Sequence, residues 1–346
     1  MKKEPIRHHY IPQFILRNFC IDEDEHLIFV DAKTKKQSKE KVRDLFMERN
    51  LYRDTINDEN PVKIEEDFAR FENEVARIIK EKFLDKEDFS LNQYEHEKLK
   101  LFFALMAFRS KSTKDLFKKK LSKESKKLYS DWQDDKNFED FWKRNLGKLV
   151  KCRSWEDIKN NEEIDIPIKL FFKRDVLGLF GKYICLVEPK DVGEFVLSDC
   201  YPVAYKGICN APLGCSFEIG IFDICTVSPN RAILIASVGS TSTKSDVLPL
   251  RPLVLNEPIA NEKNELIFRV KKLYPEEVEA INNMIIKHAK IGYVFKGKKQ
   301  YMYKKKRVAF FATLFYYLKK SKTKDLFVLL PFVISAFQLP PLPRQR

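Results

Sequence analysis

Two adjacent histidines in "RHHYIPQF", residues 7–14, are the first side chains of the chain with an obvious chemical use. A free imidazole has a pKa of about 6.5 and exchanges a proton at neutral pH, so His8 or His9 could serve as a general acid or base. Pro12 lacks an amide hydrogen and biases Ile11 toward extended geometry. In such a segment His9 and Ile11 share one face, and His8 and Tyr10 share the other. The same geometry fits a second use, a histidine that hydrogen-bonds a neighbouring helix and orders the start of the chain. Residue types alone do not separate these two uses, nor His8 from His9.

Two carboxylates and a guanidinium are the next candidates, and helix periodicity sets where they fall. Asn60-Pro61 has the form of an N-cap followed by proline at the first helical position. Ile64, Phe68, Phe71, Val75 and Ile78 then repeat at helical spacing. At roughly 100° per residue, Glu65 and Glu72 nearly stack, at the edge of the face that carries Phe68, Phe71 and Ile79. "SLNQ", residues 90–93, has the capping-box form and opens a second helix through Leu101, Phe102, Leu105 and Phe108. Arg109 continues the stripe of Leu101 and Leu105. An arginine on a buried stripe needs an anionic partner, because an unpaired buried charge is costly. That partner is either Glu65 or Glu72 in an ion pair between the helices, or a bound anion in a cleft.

The rest of the chain supplies the frame. "HLIFVDAKT" (26–34) reads as a strand and turn, and a Lys-rich amphipathic stretch reaching about Trp142 reads as further helix. From Phe195 the period changes: "EFVLSD", "FEIGIFDI", "RAILIAS" and "ELIFRVKKL" are short β-rich runs parted by Pro, Gly and Asn. "PEEVEAINNMIIKHA" (275–289) closes the body with a helix. Helical and strand runs are segregated along the chain, which predicts an α+β fold. In it a helical middle, residues 60–150, packs on a mainly antiparallel sheet built after Phe195, and a basic, apolar extension follows. No repeat, P-loop, G-x-G-x-x-G, H-x-x-x-H, G-x-S-x-G or recognisable nuclease motif is present.

Charge and cysteine content bound the setting. The net charge is +14, but residues 296–346 carry thirteen Lys/Arg against one acid, Asp325, a net +12 that leaves +2 for residues 1–295. A boundary at 295/296 divides a body from an extension in which "KGKKQYMYKKKR" precedes "VAFFATLFYYL" and "LFVLLPFVISAFQL". Each apolar run is shorter than the roughly 20 residues a spanning helix requires. Basic clusters beside apolar segments suit an anionic membrane surface or nucleic-acid phosphates. Seven cysteines with no C-x-x-C, and no signal peptide at the N-terminus, predict reduced thiols in the cytoplasm. Five of them fall between Cys185 and Cys225 in strand-like runs, where core packing accounts for them better than zinc does.

Taken in series, "HHYIPQFILRNF", "IEEDFARFE", "LFFALMAFRS", "FVLSDCYPV" and "TVSPNRAILI" resemble the uncharacterised bacterial family DUF4238, over residues 7–295. Its members open with an H-x-Y-[IV]-P segment and continue through a helix with two spaced glutamates, a helix ending in arginine, a Ser/Thr-Asp turn and a Ser-Pro strand. The resemblance implies that His9, Tyr10, Arg17, Glu65, Glu72, Arg109, Asp199 and Ser228 are the polar positions of interest. It favours His9 over His8. Two departures stand out: Cys200 where asparagine is usual, and Thr226-Val227 where proline-leucine usually precedes Ser228-Pro229.

Some members of the family are associated with anti-phage defence, so the resemblance implies a context and no mechanism. Within it, His9 would be the acid or base. Glu65, Glu72 or Asp199 would position water or a divalent metal, Arg17 or Arg109 would hold a phosphate, and Tyr10 and Ser228 would contact substrate. That constellation describes an intracellular phosphodiesterase or nuclease. The alternative is a non-catalytic sensor or nucleic-acid-binding module in which the same polar set is structural. Neither a particular cofactor nor an oligomeric state follows from the sequence.

Overall fold

The computed structural model of the chain describes residues 7–53, 60–84, 88–110, 138–172, 183–191, 193–210, 216–236, 259–263 and 265–297. The chain divides into two units, Met1–Lys296 and Gly297–Arg346. The apolar and basic runs of the second unit lie outside the described residues, as does most of the Lys-rich stretch before Trp142.

The fold is α+β, with antiparallel pairing in nearly every ladder. β1 (Arg7–His9) pairs with β4 (Met47–Arg49). Pro12 stands at the N-cap of α1 (Gln13–Arg17), where its missing amide costs nothing. β2 (His26–Asp31) and β3 (Gln37–Lys41) form a hairpin. Two helices, α2 (Lys63–Lys82) and α3 (Gln93–Arg109), flank β5 (Asp88–Leu91), and α4 (Phe138–Leu149), α5 (Trp155–Asn160) and α6 (Ile166–Phe171) follow. Then come β6 (Tyr183–Pro189), β7 (Leu197–Ser198), β8 (Val203–Asn210), β9 (Ser216–Ser228) and β10 (Arg231–Ala236). β11 (Ile259–Ala260), β12 (Leu266–Arg269), β13 (Lys271–Leu273), α7 (Pro275–His288) and β14 (Gly292–Phe295) complete the described chain.

The strands form several sheets, not the single one expected. The largest runs β13-β6-β10-β9-β8, and its β13–β6 pairing is parallel. A second, β3-β2-β14-β7, joins the first hairpin to the last strand, and a third runs β11-β12-β5. The large sheet also begins before Phe195, at Tyr183, and "EFVLSD" contributes only Leu197 and Ser198 to a ladder. Pairing between distant strands leaves no local trace, which is why the sequence shows the strands and hides the sheets.

Two helix starts also differ from expectation. Ser90 of "SLNQ" lies in β5, opposite Ile267. The capping box instead uses Asn92, whose side chain accepts from the Glu95 amide at 2.9 Å while the Glu95 carboxylate accepts from the Asn92 amide at 3.0 Å. α2 opens at Lys63, and Asn60 accepts from the Val62 amide just ahead of it. Both shifts lie within the two residues over which helix ends are commonly ambiguous.

One core joins helices and sheets. It takes Phe68 and Phe71 from α2, Trp142 and Leu146 from α4, Ile233 from β10 and Val294 from β14. α3 is its centre: Leu101, Phe102, Phe103, Ala104, Leu105, Met106 and Phe108 are all buried. A helix apolar on every side is an interior helix, and each large side chain it buries stabilises the fold by about 1.5–3 kcal/mol. Arg109 is the last residue of that interior helix.

Candidate functional site

Arg109 keeps 1 % of its side chain exposed. Its guanidinium is held on three sides. Nη1 donates to Glu72 Oε1 at 2.6 Å, and Nε donates to the Tyr10 carbonyl at 3.2 Å. The Phe68 ring lies 4.6 Å from Cζ and the Tyr52 ring 5.9 Å from it, so the cation rests against aromatic faces. Of the two ion pairs the helix spacing allowed, the chain makes the one with Glu72. A charge taken this far from water requires such a partner. Burial pushes the Glu72 carboxyl up, and Arg109 pulls it back. On the fourth side Nη2 is buried and has no hydrogen-bond partner.

Two more polar groups around this guanidinium lack partners. The Tyr52 hydroxyl is fully buried and unpaired. Burial raises that phenol above the usual tyrosine range, with Arg109 opposing and Glu65 and Glu72 adding to the rise. Glu65 is partly buried and has no hydrogen bond or ion pair among the described residues. Burial pushes its carboxyl up to about 7, Arg109 works against the rise and the like charge of Glu72 adds to it. An acid with this pKa is half ionised at neutral pH, the condition that best suits proton transfer. Unsatisfied buried polar groups are rare, and two in one cluster, the Tyr52 hydroxyl and Arg109 Nη2, call for an explanation.

The two histidines are both engaged. His9 faces the Val42 carbonyl through Nε2 at 3.3 Å and the Gln13 amide through Nδ1 at 3.1 Å. A carbonyl only accepts, so the proton sits on Nε2 and Nδ1 accepts from Gln13. Burial lowers the His9 pKa, the Val42 bond opposes that, and Arg109, Arg17 and Arg7 reinforce it. The ring links β1 to α1 through Gln13. His8 lies on the opposite face: its Nδ1 accepts the Tyr52 amide at 2.8 Å, and its ring stacks on that of Tyr52 at 5.6 Å and 10°.

Tyr10 contributes its backbone to the cluster. Its carbonyl receives Arg109, and its amide donates to the Phe46 carbonyl at 3.1 Å. Phe46 has φ 51°, a left-handed conformation that costs a bulky residue about 1–3 kcal/mol. Packing of its ring against Tyr10 and Phe29 holds it there.

The remaining candidates lie in other settings. Arg17 is half exposed, donating to Glu25 at 2.6 Å and to the Gln13 side chain at 2.8 Å. Asp199 Oδ1 accepts three amides, from Lys290 at 3.0 Å and from Ile291 and Gly292 at 3.1 Å, so it caps the turn into β14. Ser228 Oγ accepts the Asn230 amide in the β9–β10 turn. The chain brings together Tyr10, Glu65, Glu72 and Arg109, with His9 in electrostatic reach, and gives Arg17, Asp199 and Ser228 separate local partners. Tyr52 escaped the sequence reading: "NLYRD" carries only a weak signal, an asparagine at φ 56° that marks a turn. Among the described residues no group of three or more His, Cys, Asp or Glu side chains is placed to hold a metal ion. Cys20, Cys152, Cys185, Cys200 and Cys225 are free; of the cysteines expected to pack in the core, Cys185 and Cys225 are buried and Cys200 is half-buried, while the side chains of Cys209 and Cys215 lie outside the described residues.

No helix among the described residues is long and apolar enough to cross a membrane. No curated protein and no solved structure matches the chain. The profile of the family described as "Protein of unknown function (DUF4238)" matches residues 7–300. That span takes in the whole Arg109 cluster and both ends of the Asp199 turn, and the chain accordingly belongs to the DUF4238 family.

Proposed function

We propose that the protein is an intracellular anti-phage defence hydrolase that cleaves phosphodiesters at the Arg109 cluster. The defence context comes from the family resemblance. The chemistry is supported by one observation: a fixed, buried guanidinium has an unpartnered edge, beside a carboxyl that also lacks a partner. Arg109 Nη2 would donate to a non-bridging phosphoryl oxygen. Ionised Glu65 would take a proton from the attacking water as the P–O ester bond breaks, then pass it to the leaving oxygen, giving an alcohol and a phosphomonoester. Glu72 and the Tyr10 carbonyl would hold Arg109 still. The acid–base role moves from His9, whose two nitrogens are both engaged, to Glu65.

The basic extension, residues 296–346, would add sequence-independent contact with nucleic-acid phosphates. Removing residues 298–346 should weaken binding to DNA while the body stays folded. Equal loss of binding to anionic vesicles would point to a membrane surface instead.

A non-catalytic sensor or nucleic-acid-binding module is favoured by a different observation: His9, Asp199 and Ser228 are all bonded within the protein. The two readings part in one experiment. Hydrolysis of bis(p-nitrophenyl) phosphate is measured for wild type, Glu65→Gln and Arg109→Lys, alongside phage plating at matched protein levels. A hydrolase loses at least a hundredfold in rate and its protection in both variants. Protection that survives Glu65→Gln, with no hydrolysis by wild type, selects the sensor.

A further inference from the structure

We infer that the Tyr52 hydroxyl is a second donor to the oxyanion at the Arg109 site, held in place by His8, and that the site takes a singly charged oxyanion of the phosphodiester class. This rests on the reading that the Arg109 cluster is where ligand binds. Tyr52 is anchored at both ends of its residue but not at its hydroxyl. Its amide donates to His8 Nδ1 at 2.8 Å, and its ring is stacked on His8, packed on Phe68 at 5.4 Å and stacked on Trp142 at 6.0 Å. Such a ring has no freedom to swing its oxygen elsewhere. Yet that oxygen is buried and unpaired, as is Arg109 Nη2, and the charges acting on it include Arg109, Glu65, Glu72 and Glu48.

A buried hydroxyl without a partner destabilises a protein, and a phenylalanine of the same shape would remove the penalty. Keeping a rigidly held hydroxyl in that state makes sense when a ligand oxygen completes it. The preference for one charge follows from the local balance. The single cation, Arg109, is already paired with Glu72, and Glu65 stands beside it. A monoanionic diester meets little repulsion there, whereas a dianionic monoester brings a second negative charge toward two carboxyls.

The test uses the full chain and two probes, dimethyl phosphate and inorganic phosphate at alkaline pH, titrated by calorimetry beside thermal unfolding without ligand. Wild type should bind dimethyl phosphate more tightly than the dianion. Tyr52→Phe should weaken dimethyl phosphate binding about tenfold or more with an unchanged or higher Tm, since a hydrogen bond to a charged group is lost and an orphan hydroxyl removed. His8→Ala should weaken binding as well, and His8→Asn, which keeps an acceptor at the Nδ1 position, should restore part of it. If wild type binds dimethyl phosphate and Tyr52→Phe binds it equally, the Tyr52 assignment is overturned while the Arg109 site stands. If wild type binds neither probe, the site reading itself fails and this one with it.

Discussion

Asp199 and Glu65 are both carboxyls withdrawn from water, and the protein treats them in opposite ways. Asp199 is 8 % exposed, and one of its oxygens accepts three backbone amides at the start of β14. Burial pushes its carboxyl up, and those amides pull it back. Glu65 sits on α2 with a cation near it and no hydrogen bond to any described group. The first carboxyl is satisfied by the backbone; the second makes no hydrogen bond to the described protein. A polar residue that a family pattern singles out can therefore belong to either class, and only its hydrogen-bond partners tell which.

The comparison is broken most severely by taking away the ion-pair partner of the cation near Glu65. Glu72→Ala leaves Arg109 buried and unpaired, and should cost about 3–5 kcal/mol of stability by denaturant titration. A loss below about 1 kcal/mol would mean that solvent already reaches the guanidinium.

Asp199→Ala should cost less, about 1–3 kcal/mol, because three amides lose a neutralising acceptor while the β14 ladder remains. Catalysis or anion binding by the folded fraction should be unchanged. Gly292, which donates one of those amides, is confined independently: a Cβ there would lie 2.2 Å from the Phe29 ring and 2.4 Å from the Val30 carbonyl. Gly292→Ala should therefore destabilise at least as much as Asp199→Ala, with the same silence in binding.

Glu65→Gln sharpens the contrast through pH. Its carboxyl is raised from 4.5 to about 7 on folding, so between those values the unfolded chain has released a proton that the folded protein keeps. Its stabilising contribution is whole below 4.5 and is lost as pH rises through about 7. Glutamine carries no such proton. The variant should show a flatter stability profile across that window than wild type, and a profile identical to wild type would place Glu65 in ordinary solvent.

The smallest effect is expected at Arg17. Its ion pair with Glu25 is about half exposed on both sides. Arg17→Ala should change stability by no more than about 1 kcal/mol and leave dimethyl phosphate binding intact. A tenfold loss of binding would bring Arg17 into the site after all.

The long helices α2, α3 and α7 and the strands β2, β9, β10 and β12 were legible in the sequence because each is written locally, in periods of 3.6 and 2 residues. So was the need of Arg109 for a carboxylate, since a cation on an apolar stripe can be recognised from spacing. The choice of Glu72 over Glu65 was not, because it depends on how two helices rotate against each other. Tyr52 was invisible for a related reason: a tyrosine in a turn acquires meaning only when His8, Phe68 and Trp142 fix its ring. Asp199 looked chemical in sequence because the amides that donate to it lie in a turn some ninety residues further along the chain.

The pairing of β14 with β2 has a consequence for how the protein is made. Asp31 of β2 is synthesised long before its partner Gly292. At about 5–20 residues per second, the hairpin waits roughly ten to fifty seconds on the ribosome for its neighbour. Through that interval one edge of β2, with Leu27, Ile28 and Val30, has no strand beside it, while β3, bearing Lys39 and Lys41, protects only the other. The nascent chain thus passes through a stage in which an apolar edge is open to other chains, and closure of that sheet is among the last events of its biosynthesis.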